Sequence, residues 1–193
     1  VIGGATTVEG SKEPAINGNG PARVLTTTDM YDPVSNTWQS RAPMALGRNH
    51  AFAGAVSGKI YVIGGRTAHA FVTVSTNTDI VEEYDPSTNM WSGLKAKMPT
   101  ARSGGGRGTY NGRIYVAGGE CIGVLGNTNL FVFDTMTQTW TEKAPLPIHL
   151  YACAAVPWGD RIYFFGGLED FGSHAKAVAV TYIYDPATDT WSE

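Results

Sequence analysis

The sequence predicts an all-β fold built from one repeated unit of four short strands. Three observations lead to this prediction. Glycine makes up 24 of the 193 residues, well above the average share of about 7%, and this composition suits short strands joined by turns. A pair of glycines ends an apolar run four times along the chain. A tryptophan follows each pair, at spacings of 53, 49 and 51 residues (Trp38, Trp91, Trp140 and Trp191).

The first half of each unit is a predicted hairpin of two strands, a and b. Strand a is a run of small and apolar residues such as 51–56, and a turn such as Asn111-Gly112 follows it. Asn-Gly favours a type I′ turn, because both of its central residues need a positive φ. Strand b is almost continuously apolar, which indicates burial on both faces. The glycine pair at its end fits a close backbone approach or a positive φ. In the three later units the pairs are Gly64 and Gly65, Gly118 and Gly119, and Gly166 and Gly167.

The second half of each unit is a second predicted hairpin, of strands c and d. Strand c ends in Tyr-Asp-Pro in three of the units, and strand d begins at the tryptophan. The Asp-Pro sequence favours a turn, since Asp accepts hydrogen bonds from free backbone N–H groups and Pro presets φ. A residue that occurs once in every unit serves something that every unit needs. We therefore expect the tryptophans and the recurring tyrosines to pack in the core (Tyr31, Tyr84 and Tyr184).

The glycine pair, Tyr-Asp-Pro, the tryptophan and the period near 50 residues together resemble the kelch repeat. The third unit departs from the pattern, because Phe133-Asp134-Thr135 replaces Tyr-Asp-Pro. The resemblance covers essentially the whole chain. It implies a kelch-type β-propeller of the galactose oxidase-like superfamily, in which each unit is a blade of four antiparallel strands around a central channel.

The same resemblance predicts how the chain divides into blades. We expect about four blades over residues 1–193: a partial blade at 1–44 and further blades at 45–98, 99–146 and 147–193. Kelch propellers usually have more blades than this, so we expect a fragment of a larger, six-bladed propeller. The alternatives are four blades that close alone and two chains that combine. An open propeller edge would also offer unpaired backbone groups to a partner chain.

Ligands of the family often meet the loops between strands b and c and the connections between blades. The predicted b–c loops at 5–27, 66–78, 120–127 and 168–177 differ from one another where the strands repeat. This contrast indicates that specificity resides in the loops. The alternative is that these segments are solvated connections without a binding role.

The inter-blade segments supply two candidate ligand-binding arginines. Arg48 and Arg102 each lie twelve residues before the isoleucine of strand b, where some family members place an arginine in the channel mouth. Two arginines could bind a carboxylate or an acidic peptide. The alternative is structural, with each arginine paired to a carboxylate or carbonyl of its blade. Leu150 takes this position in the last unit, beside His149. The remaining candidates lie close behind the glycine pairs (Arg66, Glu120 and Glu169).

Charge and composition narrow the function classes. The 14 basic and 17 acidic residues give a net charge of −3 without a basic run, which predicts no nucleic-acid partner. No apolar stretch approaches the roughly 18 residues of a membrane span. The four histidines lack short metal-ligand spacing, so we predict no metal or cofactor. We expect Cys121 and Cys153 to be unpaired thiols. The low charge and the abundance of Thr, Asn and Gly favour a location outside the cytoplasm, and the compartment is otherwise unassigned.

Two function classes remain open. The first is a non-catalytic module that binds a protein, a peptide or a glycan through the b–c and inter-blade loops at the channel mouth. The alternative is part of a carbohydrate-active enzyme that resembles the sialic-acid mutarotases or galactose oxidase. A mutarotase-like site would need acid, base and arginine groups that converge at the mouth.

Overall fold

The computed structural model describes residues 1–7, 22–67, 76–121, 127–169 and 175–193. Within these ranges the regular structure is β-strand. The strands are β1 (Ala5–Thr7), β2 (Ala22–Val24), β3 (Thr28–Asp32), β4 (Thr37–Arg41), β5 (Phe52–Val56), β6 (Lys59–Ile63), β7 (Val81–Asp85), β8 (Met90–Ser92), β9 (Gly106–Tyr110), β10 (Arg113–Ala117), β11 (Leu130–Asp134), β12 (Thr139–Lys143), β13 (Ala154–Trp158), β14 (Arg161–Phe165), β15 (Leu168–Glu169), β16 (Lys176–Ala177), β17 (Thr181–Asp185) and β18 (Thr190–Ser192). The described ranges hold no helix of the length and apolar character that a membrane crossing requires.

The strands form three four-stranded antiparallel sheets and three two-stranded ones. Blade 2 is β5-β6-β7-β8, blade 3 is β9-β10-β11-β12, and blade 4 is β13-β14-β17-β18. Blade 1 is the hairpin β3-β4, and Ile2 bridges to Thr28 at its edge. Two short ribbons, β1-β2 and β15-β16, lie between strands b and c of blades 1 and 4. The predicted all-β, kelch-type order of strands a to d is confirmed.

The blades pack face to face, and strand b lies in the middle of the packing. In β10, Ile114 and Val116 contact the apolar cluster shared with blade 2. Their neighbours Tyr115 and Ala117 contact the cluster shared with blade 4. Successive side chains of a strand point to opposite faces of its sheet. The uninterrupted apolar run of strand b therefore arises because both of its faces are covered.

The glycine pair joins each blade to the next one. The second glycine donates its N–H to a carbonyl of the following blade, from Gly65 to Arg102 at 2.9 Å and from Gly119 to Leu150 at 2.8 Å. The first glycine faces the same carbonyl. A Cβ at Gly118 would lie 2.1 Å from the Leu150 oxygen, and the φ of Gly118 is +63°. Glycine is therefore needed at this position for both of the reasons that the sequence suggested, the close backbone approach and the positive φ.

A second inter-blade ladder lies at the end of the sheets that carries the b–c loops. It uses His50, Gly104 and Ala152, which occupy the same position in three blades and all have a positive φ. Gly104 donates its N–H to the His50 carbonyl, and Ala152 donates to the Gly104 carbonyl. Histidine and alanine seldom adopt this conformation. The ladder therefore holds the backbone there regardless of the side chain.

The recurring aromatic residues connect each blade to the linker before it. The Trp191 indole donates to the Ala144 carbonyl at 2.8 Å, and the Tyr184 hydroxyl donates to Asp189 at 2.7 Å. Tyr184 is fully buried, as the sequence suggested. Tyr31 and Trp38 of blade 1 are 44% and 59% exposed, contrary to the expected core packing. In blades 3 and 4 the equivalent tryptophans pack in the cluster shared with the preceding blade, and the described residues contain no blade before blade 1.

Candidate interaction face at the channel mouth

One backbone bridge recurs in three blades, at the end of the sheets that carries the b–c loops, where the family resemblance predicts the channel mouth. It joins the residue after the glycine pair to the residue after the Arg48, Arg102 or Leu150 position. The three bridged pairs, which we name the mouth ring, are Asn49 with Arg66, Ser103 with Glu120, and Tyr151 with Leu168. The N–H of the later residue donates to the carbonyl of the earlier one at 2.8 Å in each pair. The backbone is thus the same in three blades, whereas the side chains are polar in two of them and mainly apolar in the third.

The mouth ring contains an ion pair that crosses a blade boundary. The Arg66 guanidinium of blade 2 donates to the Glu120 carboxylate of blade 3. The Arg66 Nε also donates to the Ser103 hydroxyl at 2.9 Å. The amide of Asn77 donates to the Glu120 carbonyl at 2.7 Å. Arg66 and Glu120 are both buried, and burial lowers the pKa of Arg66. The candidates Arg66 and Glu120 are therefore together in one polar cluster.

His50 lies at the edge of this cluster. Its Nδ1 is 2.7 Å from the Asn49 side-chain oxygen, and the residue is exposed. Partial burial of the ring, followed by the charge of Arg66, lowers the pKa of His50 below its usual 6.5. His50 is thus an exposed group next to a buried cation.

Arg48 lies inside blade 2 and is 1% exposed. Its guanidinium donates to the carbonyls of Gly64 at 3.2 Å and Ile80 at 3.0 Å, and it forms an ion pair with Glu82. Desolvation lowers the pKa of Arg48, and Glu82 opposes this shift. The family resemblance predicts the Arg48 side chain in the channel mouth. In the structure it turns into its own blade instead, because its guanidinium binds carbonyls at the end of strand b.

Arg102 takes the same position in blade 3 without a carboxylate. It is fully buried, donates to the carbonyls of Gly118 at 3.1 Å and Asn129 at 3.4 Å, and lies 4.6 Å over the Phe131 ring. Within the described residues, its Nε and Nη2 have no hydrogen-bond partner. Burial lowers the pKa of Arg102 to about 10. Phe131 stands where blade 2 has Glu82, so Arg102 is held by carbonyls and a ring face. Both arginines thus have the contacts of the structural alternative.

The other two candidates follow Glu120 in the sequence, one in the linker before blade 4 and one after its glycine pair. His149 is exposed in the linker before blade 4. Glu169 is half-buried in β15, opposite Lys176 of β16. Sequence reasoning missed Asn49, Ser103 and Asn77. The first two follow Arg48 and Arg102 directly, so the repeat offset alone could have indicated them.

Parts of the predicted b–c loops lie outside the described residues. These parts are 8–21, 68–75, 122–126 and 170–174, and they include His69 and His174. In the rest of the chain, no three His, Cys, Asp or Glu residues come together as metal ligands. No disulfide joins Cys121 to Cys153. Burial raises the pKa of the Cys153 thiol to about 11.

Comparison with known proteins places the chain among kelch-repeat proteins. A family model described as the KLHDC2/KLHL20/DRC7 kelch-repeats domain matches residues 16–193. Kelch-like protein 35 of Mus musculus is 29% identical over 174 residues, which cover 90% of this chain and 28% of that protein. Kelch-like protein 25 of Xenopus tropicalis is 27% identical over 192 residues, which cover 100% of this chain and 30% of that protein. The chain therefore spans less than a third of the length of either relative.

A solved structure shows the same fold. The structure of YjhT superimposes with a TM-score of 0.77 at 17% sequence identity, covering 99% of this chain and 65% of that one. At this identity the likeness concerns the fold alone.

Proposed function

Because the chain belongs to the kelch-repeat family, we propose that it is a protein-interaction module whose partner binds the mouth face. The mouth face is the mouth ring together with the exposed His50 and with the half-buried Glu169, which follows Leu168 directly. One observation carries this proposal. The bridge of the mouth ring has the same backbone in three blades, and each blade presents a different pair of side chains on it. A constant frame with variable side chains is what a recognition surface on a repeat protein needs.

The chemistry of the mouth ring suits a peptide or loop that brings both polar and apolar groups. Arg66 and Glu120 are buried and join blades 2 and 3 beneath this face, and the polar group exposed beside them is His50. One blade further on, the half-buried Leu168 supplies an aliphatic group and covers the buried Tyr151 to which it is bridged. The glycan-binding and enzymatic alternatives rest on resemblance, and no contact among the described residues favours either of them.

A displayed library of random peptides, selected on the chain, tests this proposal. Selected peptides are then measured against a mouth variant, His50→Asn with Glu169→Gln. Asparagine tolerates the positive φ at position 50, so this variant changes the surface with little backbone strain. Asp160→Asn in the exposed turn between β13 and β14 is the matched control at the opposite end of the sheets.

We expect the mouth variant to lose at least about tenfold in peptide affinity, equivalent to about 1.4 kcal/mol. The control should bind as the unchanged chain does, and all three proteins should melt at similar temperatures. If peptide affinity is unchanged in the mouth variant and falls in Asp160→Asn, the partner binds the other end of the sheets.

A further inference from the structure

A polar cleft of ≈330 Å³ lies between blades 3 and 4. It opens at the end of the sheets opposite the mouth face, because Arg113 begins strand b and Asp134 ends strand c of blade 3. Its volume falls at the lower end of the range of small-molecule sites, about 300–1,000 Å³. The cleft is also lined by Tyr115, Val132, Thr139, Thr141 and Lys143.

The corresponding groove between blades 2 and 3 is filled by a carboxylate of the protein. Glu83 of strand c accepts a hydrogen bond from the Ser92 hydroxyl at 3.0 Å and pairs with Lys95 at 3.3 Å. The Tyr61 hydroxyl also hydrogen-bonds to Glu83. A lysine, a tyrosine and a serine thus surround one carboxylate in this groove.

In blade 3 the carboxylate is absent and its surroundings remain. Tyr84 and Phe133 each pair with the tryptophan of strand d, so the residues before them occupy equivalent positions. Val132 therefore stands where blade 2 has Glu83. By the same alignment, Tyr115 corresponds to Tyr61, and Thr141 corresponds to Ser92. Lys143 corresponds to Lys95, because each lysine precedes an alanine whose carbonyl accepts the indole N–H of the following blade.

The partners in the blade 3 cleft are only weakly engaged. The Lys143 ammonium is 3.6 Å from Asp189, and its side chain is 35% exposed, against 19% for Lys95. The same Asp189 carboxylate already accepts from the Tyr184 hydroxyl and the Ala144 N–H. Among the described residues, the Tyr115 hydroxyl makes no hydrogen bond, and it lines the cleft. The neighbouring Arg113 is paired with Asp134 at 3.1 Å.

We propose that this cleft binds a small hydroxylated carboxylic acid of monosaccharide size, such as a hexuronate or a hexonate. Its carboxylate takes the place that Glu83 takes in the neighbouring groove, between Lys143 and Tyr115. Its hydroxyl groups meet Thr139 and Thr141 on strand d. The cleft lies at the end of the sheets opposite the mouth face. Binding of the acid can therefore be tested independently of the proposed protein partner.

Calorimetric titration with glucuronate, galacturonate and gluconate tests the proposal, with glucose and galactose as the matched sugars that lack a carboxylate. We expect saturable binding of at least one acid at millimolar concentration and none of the neutral sugars. Lys143→Ala should weaken binding about 10- to 100-fold, as expected for the loss of one charge-assisted hydrogen bond. Lys95→Ala, in the filled groove, is the control and should leave binding unchanged.

A second variant supplies the missing carboxylate from the protein. Val132→Glu copies Glu83, so it should abolish binding of the acid without lowering the melting temperature. The proposal is wrong if no acid binds, if the neutral sugars bind equally well, or if Lys95→Ala and Lys143→Ala weaken binding to the same extent. Should Val132→Glu fail to fold, Lys143→Ala still decides, because this partly exposed side chain has, among the described residues, one ion pair, the 3.6 Å contact with Asp189.

Discussion

The glycine pair offers a test of how strongly one blade depends on the next. In Gly118→Ala, the new Cβ would lie 2.1 Å from the Leu150 carbonyl oxygen of blade 4. In Gly166→Ala, at the same position of blade 4, the nearest atom is the Val178 oxygen at 3.5 Å, which is an ordinary contact. The φ values are +63° and +55°, so the backbone strain of the two substitutions is similar.

The expected magnitude follows from separating these two effects. A non-glycine residue in the left-handed region costs about 1–2 kcal/mol, and this applies to both variants. The contact with Leu150 adds an overpacking term of about 1–3 kcal/mol, and it applies to Gly118→Ala alone. Moving the Leu150 carbonyl would also lengthen the hydrogen bond that it accepts from Gly119. Gly118→Ala should therefore lose about 2–5 kcal/mol in total, and Gly166→Ala about 1–2 kcal/mol.

Equilibrium unfolding in urea, followed by tryptophan fluorescence, measures both losses. At this chain length each kcal/mol should lower the melting temperature by about 2–4 °C, which gives a second reading. Equal destabilisation of Gly118→Ala and Gly166→Ala would refute the reasoning. In that case the positive φ alone would explain the glycine, and the approach of the next blade would contribute nothing measurable.

Three further predictions concern the buried arginines and the mouth. Glu82→Gln leaves Arg48 without its anionic partner, and urea unfolding should show a loss of about 3 kcal/mol, at the lower end for a broken buried pair because the carbonyl contacts remain. Arg102→Met should destabilise the fold less than Arg48→Met by about 1–3 kcal/mol, since Arg102 has no carboxylate to leave unpaired; an equal loss in the two variants would contradict this. The lowered pKa of His50, next to Arg66, means that the unfolded chain binds the proton more readily. Stability should therefore fall as the pH drops through about 6.5 towards the folded-state value, and melting curves of His50→Gln over this range should lack that component.

Much of the architecture could be predicted from residue patterns, because each blade repeats the same local chemistry. The turn after strand a, the apolar strand b and the tryptophan of strand d predict a four-stranded unit, and the structure contains three such sheets. The exposure of Trp38 was not predictable in this way. Its environment depends on which blade lies beside it, and a motif repeated within one chain carries no information about that neighbour.

The site residues were harder to predict, because their partners lie one blade away. Arg66 and Glu120 are 54 positions apart, and only the packing of blade 2 on blade 3 brings them together. Arg48 and Arg102 share one motif position, yet the strand-c residue beside them is Glu82 in blade 2 and Phe131 in blade 3. A pattern of arginines in the sequence gives their spacing but not the direction in which the side chains turn.

The two inter-blade ladders have a consequence for how such a protein can change. Gly65, Gly119, Gly104 and Ala152 all join neighbouring blades through main-chain N–H and carbonyl groups. These main-chain hydrogen bonds do not depend on the side chains of the two blades, except that the tightest approach requires glycine. A blade is in this respect an interchangeable cassette. A blade exchanged between positions would keep its main-chain joints and bring new mouth side chains with it, so recognition can be altered one blade at a time.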